Sequence, residues 1–262
     1  MDVVVMGIDI SKHTFDCSFH LDRKTHKHKV FNNTAQGMKE FLEWTVTNSL
    51  SSFHAVMEAT GRYGEDLAEF LYAKGYKVSI LNPAQLKYYS KSCLSRSKTD
   101  KVDSKLIAEF ATKHETKIWQ PLSKDMKKLK ALERCLDTFK QDKTQTTNRL
   151  EQEKDIDVRR LITERHDLIQ QQIETLQASL RDLLNAASEI KTSITLLQSI
   201  PGIASTTAIT LLGELPDLST FESAKQLSAY AGLNPSIRSS GSSVKGKSHL
   251  SKMGFSILRK AL

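Results

Sequence analysis

Between Pro121 and Pro201 the chain runs for 79 residues without a proline or a glycine. These two residues are the strongest interrupters of helical backbone, and good helix formers fill the gap between them. Long α-helix is therefore the regular structure this stretch can adopt. From Ile169 the apolar positions advance by four and three: Ile169, Ile173, Leu176, Leu180, Leu183, Ala187, Ile190, Ile194 and Leu197. Such steps keep side chains on one seam, which another helix must cover. Leu129, Leu132, Leu136 and Phe139 form an earlier stripe, and the polar residues 140–148 are expected to hold a break. A coiled coil between chains and a helical hairpin within one chain satisfy this periodicity equally.

The residues before this stretch mix two periods. Val3-Val4-Val5-Met6-Gly7-Ile8-Asp9-Ile10 is an apolar run suited to a buried strand. Residues 14–20 and 27–32 read as shorter strands joined by the polar Asp22-Arg23-Lys24. Residues 36–47 have helical spacing, 53–58 are strand-like, 63–74 form a helix ended by Gly75, and 77–81 form a strand stopped by Asn82-Pro83. Three strands, then helix, strand, helix, strand and helix, predict a sheet covered by helices.

The last 65 residues form a third, mostly helical region. Ser199-Ile200-Pro201-Gly202-Ile203 predicts a tight turn into a helix over 204–212, whose first N–H groups are suited to a phosphate. A helix over 221–231, a Gly/Ser-rich loop and a closing helix from Lys252 follow. Of the formal net charge of +8, seven units lie in residues 223–262 (Lys225, Arg238, Lys245, Lys247, Lys252, Arg259, Lys260), where no acid occurs. A polyanion partner would release counterions from such a surface, and a merely solvated basic face is the alternative.

Two groups of residues have the composition of reactive sites. Asp9 and Glu58 each interrupt an otherwise apolar strand near its end. Asp100 and Asp103 share one face if a helix starts near Thr99. Gathered at one sheet edge, these carboxylates require a cation, and Mg²⁺ suits an all-oxygen set that leaves positions open for phosphate. Taken singly, each acid serves equally as a cap or a surface charge. The other group is Arg238-Ser239-Ser240-Gly241-Ser242-Ser243-Val244-Lys245-Gly246-Lys247. A serine beside glycine and flanked by cations is placed to attack a phosphodiester, although a flexible linker has the same composition. His249 is the neighbouring histidine in sequence, and no general base is evident.

Together these segments resemble one family. Gly7-Ile8-Asp9-Ile10-Ser11-Lys12, Met57-Glu58-Ala59-Thr60-Gly61, Asn82-Pro83 and Ser97-Lys98-Thr99-Asp100-Lys101-Val102-Asp103 look like the first domain of DEDD-type insertion-sequence transposases. Ile200-Pro201-Gly202-Ile203, Ala229-Tyr230-Ala231-Gly232-Leu233-Asn234-Pro235, Ser240-Gly241 and Leu250-Ser251-Lys252-Met253-Gly254 look like the second domain of that family, which also contains a pilin-gene invertase. The resemblance implies an α/β ribonuclease-H-like (RuvC-like) domain over 1–120, a long coiled-coil-like helical connector over 121–198, and a small, mostly α-helical serine-containing domain over 199–262. It implies Mg²⁺ on Asp9, Glu58, Asp100 and Asp103, and a serine nucleophile forming a covalent phosphoserine link to DNA. Ser240 is the candidate, with Ser239 its competitor. Nucleic-acid backbone is assigned to Arg238, Lys245, Lys247, Lys252 and Arg259. The resemblance further implies a structured guide RNA and a homodimer or tetramer. Family members continue past the helix ending at Leu262, so the second domain is expected to be short here.

Other readings use the same residues. A metal-dependent nuclease would activate water with the four acids, and a non-catalytic protein would only bind nucleic acid. Gly7-Ile8-Asp9 also opens sugar kinases and actin-like ATPases, but those follow with a glycine-rich phosphate turn, whereas Ser11-Lys12 follows here. No stretch approaches the roughly 18 apolar residues of a membrane span. Cys17, Cys93 and Cys135 are scattered, which supports neither a disulfide framework nor zinc and points to a reducing cytoplasm; the resemblance to transposases implies a nucleoid-associated setting there.

Overall fold

In the computed structural model the described residues are 3–20, 25–59, 61–93, 99–215, 221–236, 239–240, 244–254 and 256–262. They fall into two compact units, Met1–Pro121 and Leu122–Leu262.

The first unit is built on a mixed five-stranded sheet. β1 (Val4–Ile10), β2 (Thr14–His20) and β3 (His26–Asn32) form an antiparallel meander, after which come α1 (Ala35–Thr47), β4 (Phe53–Glu58), a 3₁₀ turn (Gly61–Gly64), α2 (Glu65–Ala73), β5 (Lys77–Leu81), α3 (Pro83–Ser92) and α4 (Asp100–Lys113). Across the sheet the order is β3-β2-β1-β4-β5, with β1 and β4 parallel and β4 and β5 parallel. This is the expected helix-covered sheet, and the turn over 22–24 lies outside the described residues. The helix expected from Tyr63 begins at Glu65, because the preceding residues are taken up by the 3₁₀ turn.

Alternation along the strands divides the sheet into two unlike faces. Met6, Ile8, Ile10, Phe15, Phe19, Phe31 and Met57 belong to a core that includes Phe41 of α1 and Leu67 and Leu71 of α2. Phe15, Phe31, Phe41 and Phe53 meet there with ring centroids 5.4–5.8 Å apart. On the other face Val56 packs with Leu81, Leu86 of α3, and Ile107 and Phe110 of α4. The intervening residues of β1 and β2 on this face are Gly7, Asp9, Asp16 and Ser18.

The second unit opens with α5 (Lys124–Gln152) and α6 (Ile156–Ala186), then α7 (Ser188–Gln198), α8 (Ser205–Glu214), α9 (Ala224–Ala231) and α10 (Ser256–Ala261). α5 and α6 form an antiparallel hairpin: Leu136 packs with Ile169 and Ile173 near the closed end, and Leu129 with Leu180 and Leu183 farther along. The heptad seam is thus covered within one chain. It is also divided, since the helix breaks at Ala187 and the seam continues through Ile190 and Ile194, which pack with Ala208 and Ile209 of α8.

The break expected over 140–148 does not occur. α5 runs through it, with the hydroxyls of Thr144, Thr146 and Thr147 donating to carbonyls one turn back, so these polar residues are satisfied inside a helix. The turn lies instead at residues 153–155, where Asp155 caps α6 by accepting from the Val158 N–H (3.0 Å) and Arg159 donates to the carbonyls of Leu150 and Glu153. α8 is tied to α5 by Glu214, whose wholly buried carboxylate accepts from Nε and Nη2 of Arg134 and has Lys130 Nζ at 3.7 Å.

After α9 the backbone makes two short antiparallel pairs: β6 (Pro235–Ser236) with β9 (His249–Leu250), and β7 (Ser239–Ser240) with β8 (Val244–Lys245). Within the Gly/Ser-rich stretch expected to be a loop, the described residues Ser239–Ser240 and Val244–Lys245 are strand-paired. The helices expected over 221–231 and from Lys252 start later, α9 after its cap Ser223 and α10 at Ser256.

Candidate active site

β1 and the helix α4 build the core of the site. An added Cβ on Gly7 would lie 2.1 Å from the Ser104 carbonyl oxygen and 2.4 Å from the Ala108 nitrogen, so α4 lies on β1 at a distance only glycine permits. Beside this contact the hydroxyls of Ser18 and Ser104 are hydrogen-bonded at 2.7 Å in a buried position, stitching α4 to β2. Thr99 starts α4 by accepting from the Val102 N–H (3.3 Å). The first turn thereby holds Asp100 and Asp103 at the positive end of the helix dipole, which offsets part of their charge.

The approach of α4 brings four distant acids to one place. Asp9, Glu58, Asp100 and Asp103 line a single cleft of about 270 Å³, together with Ile10, Ser11 and Asp16. Glu58, the last residue of β4, follows Val56 onto the α4 face. Ser11 is fixed by the turn into β2, its N–H donating to the Thr14 carbonyl at 2.8 Å.

The acids of the cleft act on one another. Burial, and then the charges of Asp103, Asp100, Glu58 and Asp16, push the Asp9 carboxyl up from 3.8 to about 6. Among the described residues no group of three or more His, Cys, Asp or Glu side chains stands close enough together to hold a metal ion. The donor set nevertheless fits a hard divalent cation in its chemistry, being all oxygen and anionic. Asp16 is the lining acid that the sequence did not single out. It interrupts the apolar strand Phe15-Asp16-Cys17 much as Asp9 interrupts β1, and that was the available signal.

The residues assigned to the second group lie in the second unit. Ser240 is in β7, its backbone paired with Val244, and Ser239 is paired with Lys245. Lys247 and Lys252 are exposed. Arg259 is half-buried and donates from Nη1 to the Ala231 carbonyl (3.2 Å), which holds the end of α9 and gives this arginine a structural partner. Arg238, Gly241, Ser242 and Ser243 lie outside the described residues, as do Thr60, Ser97 and Lys98 of the first unit. No helix among the described residues is long and apolar enough to cross a membrane.

Comparison with known proteins matches both units. Residues 6–153 match the IS110 DEDD model described as Transposase, and residues 194–262 match the Transposase IS116/IS110/IS902 family. The chain is 35% identical over 264 residues to the pilin gene-inverting protein of Moraxella bovis, covering all of this chain and 81% of that protein. It is 25% identical over 269 residues to the transposase for insertion sequence element IS1111A of Coxiella burnetii, covering 92% of this chain and 71% of the relative. Among solved structures, Thermus thermophilus RuvC aligns with 45% of this chain and all of its own, at 14% identity and a TM-score of 0.34.

Proposed function

The chain belongs to the IS116/IS110/IS902 transposase family, and from that premise we propose that it is a Mg²⁺-dependent DNA recombinase with a serine nucleophile. The observation that carries the reading is the gathering of Asp9, Glu58, Asp100 and Asp103 at one cleft from far-apart points in the sequence. These four carboxylates would hold the cation, which when bound would draw charge from the phosphate oxygens of a DNA strand. Burial and the neighbouring acids both disfavour the Asp9 carboxylate, and a bound cation would relieve that cost.

Ser240 would supply the attacking oxygen, with Ser239 the competing hydroxyl. Its Oγ would form a bond to phosphorus as the bond from phosphorus to a deoxyribose oxygen breaks, and the serine proton would end on the departing hydroxyl. The phosphoester conserves the energy of the broken bond, so the reverse attack rejoins strands without ATP. Arg238, Lys245, Lys247, Lys252 and Arg259 would meet nucleic-acid backbone, in keeping with the acid-free basic end of the chain. A structured guide RNA and assembly as a dimer or tetramer belong to the same reading. So do the RuvC-like assignment of residues 1–120, the connector over 121–198 and the serine-containing domain over 199–262, in a protein acting at the nucleoid.

The test is a denaturing gel of protein incubated with labelled target DNA and Mg²⁺. A covalent adduct is expected, lost in Ser240→Ala and lost with strand cleavage in Asp9→Asn. An adduct that survives Ser239→Ala and Ser240→Ala together overturns the serine role. Cleavage without any adduct assigns the attack to water, and binding without cleavage leaves a nucleic-acid-binding protein.

A further inference from the structure

Asp16 stands directly opposite Asp9 in the β1–β2 register, so both side chains leave the same face of the sheet. It is only 6% exposed and lines the same cleft as the four acids. Like charges facing one another across a strand pair are destabilising, and burial adds to the cost. An asparagine would keep the shape and a hydrogen-bonding oxygen without the repulsion, whereas the acid gains an ion pair with His28 only when that ring is protonated. The carboxylate is also held: its Oδ1 accepts a hydrogen bond from His28 Nε2 at 2.7 Å. His28 pairs in register with Ser18 and lies two residues from Val30, the β3 partner of Asp16, so it reaches Asp16 diagonally from the same face of the sheet as Asp9 and Asp16.

We propose that Asp16, fixed by His28, is a fifth carboxylate of the cation cleft, placed beside Asp9 to raise its affinity for a divalent metal ion. The inference rests on the reading of the cleft given above. Asp16 adds negative charge where the cation sits, and His28 is a positioning residue that restricts the carboxylate to the cleft-lining rotamer. Outer partners of metal sites that orient a ligand in this way change affinity about 10–100-fold when they are removed.

The experiment uses the full chain in a Ser240→Ala background, without DNA. Mg²⁺ and Mn²⁺ binding is followed by calorimetry and by the Mn²⁺ electron paramagnetic resonance signal, and Tm is measured with and without metal. Asp16→Asn is expected to weaken metal binding about tenfold or more while raising Tm of the metal-free protein, because repulsion is relieved. His28→Phe is expected to weaken binding too, and His28→Gln, which retains a donor, to recover part of it. Asp16→Asn with unchanged metal affinity, or with a lower metal-free Tm and unchanged affinity, marks a structural Asp–His pair and overturns the proposal. A parent protein that binds no divalent ion while Asp9→Asn changes nothing overturns the cleft reading itself, so the two failures are distinguishable.

Discussion

The contact between β1 and α4 makes Gly7→Ala an informative substitution. The new Cβ would meet the Ser104 oxygen at 2.1 Å, the Ala108 nitrogen at 2.4 Å and the Ala108 Cβ at 2.9 Å. Two of these neighbours are helix backbone, which cannot rotate away. Ordinary contact starts near 3.4 Å, so α4 and β1 must separate by about 1.3 Å. The buried Ser18–Ser104 hydrogen bond at 2.7 Å cannot survive that displacement. Overpacking of this kind costs about 1–3 kcal/mol, or at about 4 °C per kcal/mol for a unit of this size a fall in Tm of about 4–12 °C. Because α4 carries Asp100 and Asp103, divalent-cation affinity falls as well. Val78→Ala, a cavity in the core on the opposite face, serves as the control that lowers Tm and leaves cation affinity unchanged. Calorimetric unfolding and Mn²⁺ titration read both quantities. The reasoning fails if Gly7→Ala keeps its Tm within about 1 °C or loses no more affinity than Val78→Ala. Adding Ala108→Gly removes only the 2.9 Å contact and so restores neither quantity.

Two further substitutions test electrostatics. With no metal bound, folded Asp9 keeps its proton up to about pH 6, whereas the unfolded chain releases it near 3.8. The folded state therefore holds the extra proton between these values, and the stability it contributes is full below about pH 4 and lost as pH rises through 6. Tm of the metal-free first unit is expected to decline over that window and the decline to shrink in Asp9→Asn; a carboxyl NMR titration with a midpoint near 4 would refute it. In the second unit, Arg134→Ala leaves the fully buried Glu214 carboxylate with Lys130 at 3.7 Å as its remaining ion-pair partner among the described residues. The expected cost is about 3–5 kcal/mol in urea unfolding, largely recovered by Arg134→Met with Glu214→Gln; a cost below about 1 kcal/mol would mean that solvent already screens the pair.

The acids were legible where one strand or helix carried the signal. Asp9 and Glu58 interrupt apolar strands, and Asp100 and Asp103 fall one turn apart behind a capping threonine. Asp16 carried only the weaker local signal of one acid between Phe15 and Cys17, and its place opposite Asp9 comes from the pairing of β2 with β1. The helical stretch shows the same limit. Its four-three steps announced a covered seam, but which surface covers it depends on where the chain turns. Polarity suggested residues 140–148, whereas helical threonines can return their hydroxyls to the backbone and so need no break. The actual turn was set by the Asp155 cap and the Arg159 bonds, and it fixed an antiparallel hairpin. Likewise the composition of residues 238–247 read as a flexible linker, and strand pairing at Ser239 and Ser240 is a property of two segments together.

Strand periodicity also explains how the first unit can carry so much like charge. Along β1, Met6, Ile8 and Ile10 enter the aromatic core, while Gly7 and Asp9 face α4. The larger core thus lies on one face, where Phe15, Phe19, Phe41 and Phe53 are almost wholly buried, and the other face combines the smaller cluster of Val56, Ile107 and Phe110 with carboxylates held at a local cost. The positive end of α4 reduces that cost without cancelling it, since Asp9 is still raised to about 6. The repulsion that, after burial, raises Asp9 is therefore what suits the cleft to a cation, and substitutions that relieve it strengthen the metal-free fold while weakening its chemistry.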